Sequence, residues 1–347
     1  MRTRLEEIAA EIGRREEELS NSAEELRAHP PEIFPDALEK NLIHKLEGTT
    51  LDCKIGAVDG GLLAQEFHGF DLVMARAVGV IFEYEKNKVR GHSYFPHALP
   101  EPDIDALGAL EGHEFAWHKG LFRLQKEISL ARDMIEKFKP DYLLLDGSVV
   151  PQVSDKPGED SEIRPMYDAL ISMYEKLYAS AEAHHCQLAG VIKDSRGKRF
   201  MEIINKTAAG STPRNTTDTN FLSFLLQEGE RTFAFQYSGA ALEHQVLKDL
   251  REWGVKVHAF YMKPVSEDRP LRVEFLNIKK GIDEIAGTLF ELSRINKRYA
   301  YPAILIEADM RAALNRIEIE RAYHDLFMRT GARSSALKLR RDMRPFR

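Results

Sequence analysis

Apolar residues along the chain follow two spacings, which predict strands and helices. Residues 53–60 (CKIGAVDG) form an apolar run that stops at Asp-Gly, as a buried strand ending in a turn does. Residues 71–86 are rich in Val, Ile, Phe and Tyr, and the pair Asn87-Lys88 can turn tightly into residues 89–97. These three segments predict an antiparallel meander of three strands.

A helix and a fourth strand follow the meander. Residues 113–138 carry an apolar stripe at helical spacing from Leu124 to Phe138, and Pro140 ends the helix. Residues 141–148 (DYLLLDGS) are a second apolar run that stops at Asp-Gly. The order strand-strand-strand-helix-strand predicts an α/β fold of the ribonuclease H-like type, with a mixed sheet flanked by helices. An aspartate is predicted to close the first and the fourth strand.

Further helices and strands are predicted around this core. Residues 3–27 predict a charged amphipathic helix with a narrow apolar stripe from Leu5 to Leu19, which docks the helix or contacts a dimer partner or another protein. Helices are also predicted near 162–184, 217–228, 281–295 and within 302–327, and strands near 187–195, 231–237, 256–262 and 271–277. The predicted divisions are an N-terminal helical segment (1–45), a main domain (46–328) and a basic C-terminal tail (329–347).

Composition and charge are those of an ordinary water-soluble chain. Hydrophobic residues make up 43% and charged residues 30%, and no run approaches the roughly 18 apolar residues of a membrane span. Two cysteines are too few for a disulfide framework or a cysteine-based zinc site, and the N-terminus lacks the apolar core of a signal peptide. We therefore expect a cytoplasmic protein with no membrane partner. The net charge of −6 gives no overall positive field for nucleic acid, although a local basic groove can coexist with it.

Carboxylates placed by these elements are the main chemical signal. Asp59 closes the first strand and Asp146 the fourth, and these strands are parallel neighbours in a ribonuclease H-like sheet. Both side chains should emerge at the same carboxyl edge, where open α/β sheets bind ligands. Glu127 borders the apolar stripe of the intervening helix and could reach that edge. Converging carboxylates suit Mg²⁺ or Mn²⁺, and two such ions about 3.5–4 Å apart can assist hydrolysis of a phosphodiester bond.

Each of these residues also has an ordinary structural explanation. An Asp-Gly pair after a strand is most often only a turn, and Glu127 could form a surface ion pair with Arg123, four residues earlier. Lys193, at the end of the strand that begins at residue 187, could hold a substrate phosphate or be only a surface lysine. The functional interpretation therefore depends on the ordered combination of residues.

Four segments occur in the order of the motifs of the NurA nuclease family, which the chain resembles from about residue 50 to 320. They are VDGG (58–61), LLLDGS (143–148), GVIKDS (190–195) and YPAILIEAD (301–309), with the Arg123–Glu127 pair between the first two. The resemblance implies a manganese-dependent nuclease domain that acts on DNA as a single-strand endonuclease and 5′-to-3′ exonuclease. It also implies a homodimer that docks onto a hexameric HerA-type ATPase translocase for DNA end resection.

The resemblance assigns roles to residues by their position in these motifs. Asp59, Glu127 and Asp146 become metal ligands, and Tyr301 matches a tyrosine of the family's active site. The implied cofactor is Mn²⁺ or Mg²⁺, with two ions bound.

Two positions depart from the family pattern. The first motif usually reads Asp-Gly-Ser, and Gly61 stands where the serine would be. The last motif normally has a histidine eight residues after the tyrosine, and here that residue is Asp309. Because aspartate is a good ligand for hard metal ions, Asp309 is predicted to replace the histidine as a catalytic metal ligand. The alternative is an altered metal preference or a weakened enzyme.

Two other functions stay open. The departures at Gly61 and Asp309 would suit an inactive adaptor that keeps the fold and the translocase contact. A related fold transfers phosphate from ATP in sugar-kinase-like proteins, which also use Asp-Gly turns. Against this function, the segment GGLLAQEF after Asp59 lacks a Thr/Ser-rich phosphate hairpin, and the sequence has no Walker-type loop. The basic tail could contact DNA phosphates or serve as a docking segment for a translocase.

Overall fold

A large mixed sheet is the main feature of the computed structural model, which describes residues 2–207, 213 and 215–330. The strands of this described part are β1 (Ile43–Lys45), β2 (Lys54–Glu66), β3 (Phe70–Glu85), β4 (Lys88–Phe95), β5 (Asp103–Gly108), β6 (Tyr142–Asp146), β7 (Gln187–Ile192), β8 (Glu230–Thr232), β9 (Phe235–Gln236), β10 (Val257–Lys263) and β11 (Leu271–Leu276). The α-helices are α1 (Arg2–Ala28), α2 (Gly112–Phe138), α3 (Arg164–Ala183), α4 (Arg199–Thr207), α5 (Asp218–Leu225), α6 (Ile282–Ser293), α7 (Ala303–Ala312) and α8 (Arg316–Thr330).

The order of strands confirms the predicted α/β class. The path is β1-β8-β10-β11-β7-β6-β2-β3-β4, with β5 on β3 and β9 on β10. The pairs β2–β6 and β6–β7 are parallel, and the other pairs are antiparallel. The strands that carry Asp59 and Asp146 are therefore parallel neighbours, as predicted. They are in register through Val58 and Leu145.

Side chains of β2 and β6 alternate between two apolar cores, because successive strand residues point to opposite faces. Val58 and Leu145 belong to the core that contains α2 and α3. Ala57 and Leu144 belong to the core on the other face, which contains α6 and α7. This alternation decides which helix each site residue meets.

The prediction that Asp59 closes its strand is wrong. β2 continues through Asp59 to Glu66, and the residues beyond Asp59 pair with β3 as one arm of a long hairpin. Antiparallel partners on β3 keep the Asp-Gly pair extended, so the local turn preference of this pair is overridden. Asp146 does end β6, and Gly147 follows with a φ of +122°, a value that favours glycine.

Helix α1 confirms the predicted N-terminal helix, but only part of its predicted apolar stripe is buried. Leu19 is buried and packs in a core with residues of α4 and α5. Leu5, Ile8 and Ile12 are exposed by 59%, 41% and 52%. Only the C-terminal half of α1 is therefore docked on this chain.

The remaining predicted elements are confirmed with changes at their ends. The predicted strand 231–237 is divided into β8 and β9, and the helical region 302–327 is divided into α7 and α8 by a break at residues 313–315. The short strands β1 and β5 were not predicted. Among the described residues, none of the helices combines the length and the apolar character that a membrane span requires. Most of the predicted basic tail, residues 331–347, lies outside the described residues.

Candidate metal centre

Three aspartates from distant parts of the chain meet at the carboxyl edge of β6. One carboxylate oxygen each from Asp59, Asp146 and Asp309 lies within 4.8 Å of the other two. Asp59 comes from β2, Asp146 from the end of β6 and Asp309 from α7. Asp59 is buried, Asp146 is half-buried and Asp309 is exposed. The aspartate cluster, Asp59, Asp146 and Asp309, is therefore open to solvent on the α7 side.

Gly61 allows α7 to approach β2 closely enough to place Asp309. A Cβ atom at Gly61 would lie 2.1 Å from the backbone oxygen of Ala312 at the end of α7. Arg76 of β3 is buried and donates a hydrogen bond from Nη1 to the carbonyl oxygen of Ala313 at 3.0 Å. The end of α7 is thus held against the β2–β3 hairpin. This contact gives a packing reason for glycine where the family motif has serine.

Glu127 lies beside the aspartate cluster but is not a member of it. A Cβ atom at Gly60 would lie 2.2 Å from Glu127 Oε1, so this carboxylate contacts the face of β2 opposite to Asp59. Arg123 Nη1 lies 3.0 Å from Glu127 Oε1, so the ion pair offered as the structural alternative is present. Burial raises the pKa of Glu127 to about 8, with Arg123 opposing the shift and the charges of Asp59 and Asp146 adding to it.

Asp146 is held by two of the other predicted site residues. Tyr301 places its hydroxyl 2.8 Å from Asp146 Oδ1 and 2.9 Å from the carbonyl oxygen of Val191. Lys193 donates from Nζ to Asp146 Oδ2 at 2.8 Å, and Nζ lies 4.4 Å from the centre of the Tyr301 ring. Burial lowers the pKa of Lys193, but the hydrogen bond and charge of Asp146 outweigh burial and raise it. Lys193 therefore neutralises Asp146 directly.

Asp59 is in an unfavourable environment for a lone carboxylate. Burial raises the pKa of Asp59 to about 7, and the negative charges of Asp146 and Asp309 add to the shift. A hydrogen bond from the backbone N–H of Gly60, at 2.7 Å, acts in the opposite direction. A positive charge among the three aspartates would remove this repulsion.

A buried ionic network behind Asp146 was not predicted from the sequence. Glu274 of β11 accepts hydrogen bonds from Ser148 Oγ at 2.5 Å and from the backbone N–H of Val149 at 3.3 Å. Arg272 donates from Nε to Glu274 at 2.8 Å and from Nη1 to the hydroxyl of Tyr261 at 3.1 Å. The network fixes the segment that follows β6. Its sequence signal was two charged residues at alternate positions of an otherwise apolar strand.

Glu274→Ala is expected to lower the free energy of unfolding by about 3–5 kcal/mol. The substitution leaves the buried guanidinium of Arg272 without its carboxylate partner, and an unpaired buried charge is costly. Urea unfolding of the two proteins measures the difference. Glu320→Ala is the control, because it breaks an exposed ion pair with Arg316 and should cost less than about 1 kcal/mol. Equal losses in the two variants would contradict the proposed importance of the network.

Comparison with protein-family models shows which family the chain belongs to. The model of the NurA domain matches residues 53–314, which include the whole aspartate cluster. The chain belongs to the NurA domain family. The match confirms the resemblance found in the four sequence motifs. A comparison with curated proteins gives no significant match.

Solved NurA structures share the fold of the chain over most of its length. The NurA nuclease from Sulfolobus solfataricus has a TM-score of 0.64 and 18% identity, and the match covers 95% of this chain and 98% of that one. A NurA structure with manganese has a TM-score of 0.57 and 12% identity, with 97% and 100% covered. A NurA structure bound to dAMP and manganese has a TM-score of 0.50 and 11% identity, with 85% and 92% covered. At these identities the likeness establishes the NurA fold.

Proposed function

We propose that the chain is a metal-dependent DNA nuclease that hydrolyses phosphodiester bonds at the aspartate cluster. The observation that carries this proposal is the convergence of Asp59, Asp146 and Asp309, whose carboxylate oxygens lie within 4.8 Å of one another. Membership of the NurA family supports it. Further support comes from the NurA structures described with manganese, one of which also contains dAMP.

The donor set fits Mn²⁺ or Mg²⁺. All three members of the aspartate cluster offer carboxylate oxygens, which hard divalent ions prefer, and they include no histidine or thiolate that would select zinc. We propose that the cluster holds two ions and that Glu127 joins as a ligand by exchanging its ion pair with Arg123. Bound ions would supply an activated water and neutralise charge on the phosphate.

The remaining site residues position Asp146 and the substrate. Tyr301 orients Asp146 through its hydroxyl and fixes it relative to β7. Lys193 uses its ammonium group on Asp146 and also interacts with Tyr299, which leaves an N–H donor that can contact a substrate phosphate. We propose this dual role for Lys193, which combines the two interpretations of its position in the sequence.

The finer assignments follow from the family resemblance. We propose single-strand endonuclease and 5′-to-3′ exonuclease activity, within DNA end resection, for a cytoplasmic homodimer with a HerA-type translocase as partner. The nuclease domain would span residues 46–328, preceded by a helical segment and followed by a basic tail. The exposed Leu5, Ile8 and Ile12 of α1 offer a surface for one of these protein contacts.

Cleavage of labelled single-stranded DNA is expected in the presence of manganese and is expected to stop when a chelator is added. The reason is that the three negatively charged aspartates repel a phosphodiester unless a cation lies between them. Denaturing gels of reactions with manganese, magnesium and chelator provide the measurement. Cleavage that continues at an undiminished rate in chelator would contradict the proposal. ATP turnover without a translocase would favour the sugar-kinase-like alternative.

Asp309→Ala is expected to lower the rate of manganese-dependent cleavage by about 100-fold, equivalent to about 2.7 kcal/mol of transition-state stabilisation. Asp309→His is expected to keep a larger share of the activity, because it restores the residue that the family normally has. The two variants are compared in one gel assay. Parent-like activity of Asp309→Ala would remove Asp309 from the proposed ligands. A parent chain without activity under any metal would favour the adaptor alternative.

A further inference from the structure

A cavity of about 740 Å³ shares Asp146 with the aspartate cluster but has neither Asp59 nor Asp309 in its wall. It lies at the carboxyl ends of β6 and β7 and is bordered by α2 and α3. Its volume lies within the range of roughly 300–1,000 Å³ that small-molecule sites have. A space of this size is large enough for unpaired nucleotides.

The rim formed by residues 195–198 is fixed to the interior of the protein. The carbonyl oxygen of Gly197 accepts a hydrogen bond from the backbone N–H of Asp218 at 2.8 Å, and its own N–H donates to Ser195 Oγ at 3.1 Å. A Cβ atom at Gly197 would lie 2.9 Å from Nη1 of the buried Arg272. Residues 196 and 198 are therefore presented from an ordered backbone, which lowers the cost of ordering them on binding.

Two cations of this rim, Arg196 and Lys198, are exposed, and neither takes part in an ion pair within the described part of the chain. The next basic residue, Arg199, is already bound to Asp36 at 2.6 Å. Two exposed carboxylates, Asp194 and Glu202, also line the cavity, and Glu202 is paired with Arg199 at 3.4 Å. Among these exposed groups, the two unpaired cations therefore face one unpaired carboxylate, Asp194. Arg196 and Lys198 are thus available to bind phosphate groups.

An aromatic wall faces the same space. Tyr237 is half-buried and lines the cavity, and the guanidinium carbon of Arg272 lies 5.2 Å from the centre of its ring. His244 contacts the Tyr237 ring edge-to-face at 5.7 Å, and burial lowers the pKa of His244. Tyr237 lines the same cavity as the unpaired cations Arg196 and Lys198. Aromatic rings and cations together suit single-stranded nucleic acid, because bases stack on the rings while the cations contact the phosphates.

We propose that this cavity, the strand-end pocket, holds the unpaired terminal nucleotides of the strand that is cut, with Arg196 and Lys198 binding their phosphates. The inference rests on the proposed nuclease function and assigns a substrate site beyond the aspartate cluster. Because Asp146 belongs to both the pocket and the cluster, a strand that fills the pocket continues directly to the proposed site of hydrolysis.

The test is the salt dependence of binding to a fluorescein-labelled oligothymidylate, measured by anisotropy with chelator present. Each phosphate contact to single-stranded DNA contributes about 0.7 to the slope of log affinity against log salt. Arg196→Ala/Lys198→Ala is therefore expected to lower the slope by about 1.4 and to weaken binding about tenfold. Lys176→Ala/Lys248→Ala removes two exposed lysines outside the pocket and should keep the parent slope. A parent slope in the Arg196/Lys198 variant overturns the proposal.

A second variant fills the pocket without changing its charge. Ser238→Trp places a large ring at the cavity wall and is expected to abolish the preference for oligothymidylate over a blunt DNA hairpin. Thermal unfolding verifies that the variant is folded. A retained preference overturns the pocket as the binding site. If the parent cleaves DNA with manganese but both variants bind DNA like the parent, only the strand-end pocket is refuted. If the parent does not cleave DNA, the proposed function fails, and the pocket fails with it.

Discussion

Asp59→Asn is expected to lower the rate of metal-dependent DNA cleavage by a factor of about 1,000 or more, equivalent to at least about 4 kcal/mol. Asparagine has nearly the same shape but no negative charge, so it cannot replace the carboxylate that we propose as a metal ligand. Asp59 is the buried member of the aspartate cluster, and no flexible side chain nearby on β2 can substitute for it, because Gly60 and Gly61 follow. Gel assays with manganese measure the rate.

The same substitution should not destabilise the fold. Burial raises the pKa of Asp59 to about 7, and the negative charges of Asp146 and Asp309 add to the shift, so a neutral side chain at this position relieves an unfavourable interaction. In chelator, the thermal unfolding midpoint of Asp59→Asn should equal or exceed that of the parent. Asp160→Asn is the control, since Asp160 is an exposed carboxylate outside the cluster. Near-parent cleavage by Asp59→Asn would refute the proposed metal centre.

The sequence was sufficient to predict that Asp59 and Asp146 are neighbours. Two apolar runs, each stopping at Asp-Gly and separated by two further strands and a helix, predict parallel strands with their acidic residues at one edge, and the register of Val58 with Leu145 agrees. Local periodicity predicts the two strands themselves, and their pairing was expected from the ribonuclease H-like order of the elements.

Other parts of the site depend on contacts between residues far apart in sequence. Asp59 lies inside a strand because β3 pairs with the residues of β2 both before and after it. No local pattern near the Asp-Gly pair indicates this pairing. Glu274 and Arg272 are buried because Ser148 and Tyr261 meet them from other elements. Only the family motif, and no periodicity, pointed to Asp309.

The opposite faces of β2 explain how helices from both sides reach one edge of the sheet. Gly60 leaves room for the Glu127 side chain of α2, and Gly61 leaves room for the backbone of α7. The first contact is with the end of a side chain, which can move, whereas the second is with a backbone carbonyl, which cannot move without shifting the helix. Gly61 is therefore the more restrictive of the two positions.

Gly61→Ala is expected to lower the free energy of unfolding by about 3 kcal/mol, at the upper end of the usual cost of overpacking. The new Cβ would lie 2.1 Å from the backbone oxygen of Ala312, so α7 has to move away from β2. Because α7 carries Asp309, the aspartate cluster should open and manganese-dependent cleavage should fall as well, by about tenfold or more. Urea unfolding and the gel assay measure the two effects.

Gly108→Ala is the matched control for this effect. Gly108 also lies in a strand, β5, but nothing is within 4 Å of the position of its Cβ. Alanine there should be neutral or stabilising by up to about 1 kcal/mol, because it restricts the unfolded chain without a clash. A Gly61→Ala protein that unfolds and cleaves like Gly108→Ala would show that α7 is not held against β2 as described. Gly61→Ser should behave like Gly61→Ala, since the first atom of either side chain meets the same carbonyl oxygen.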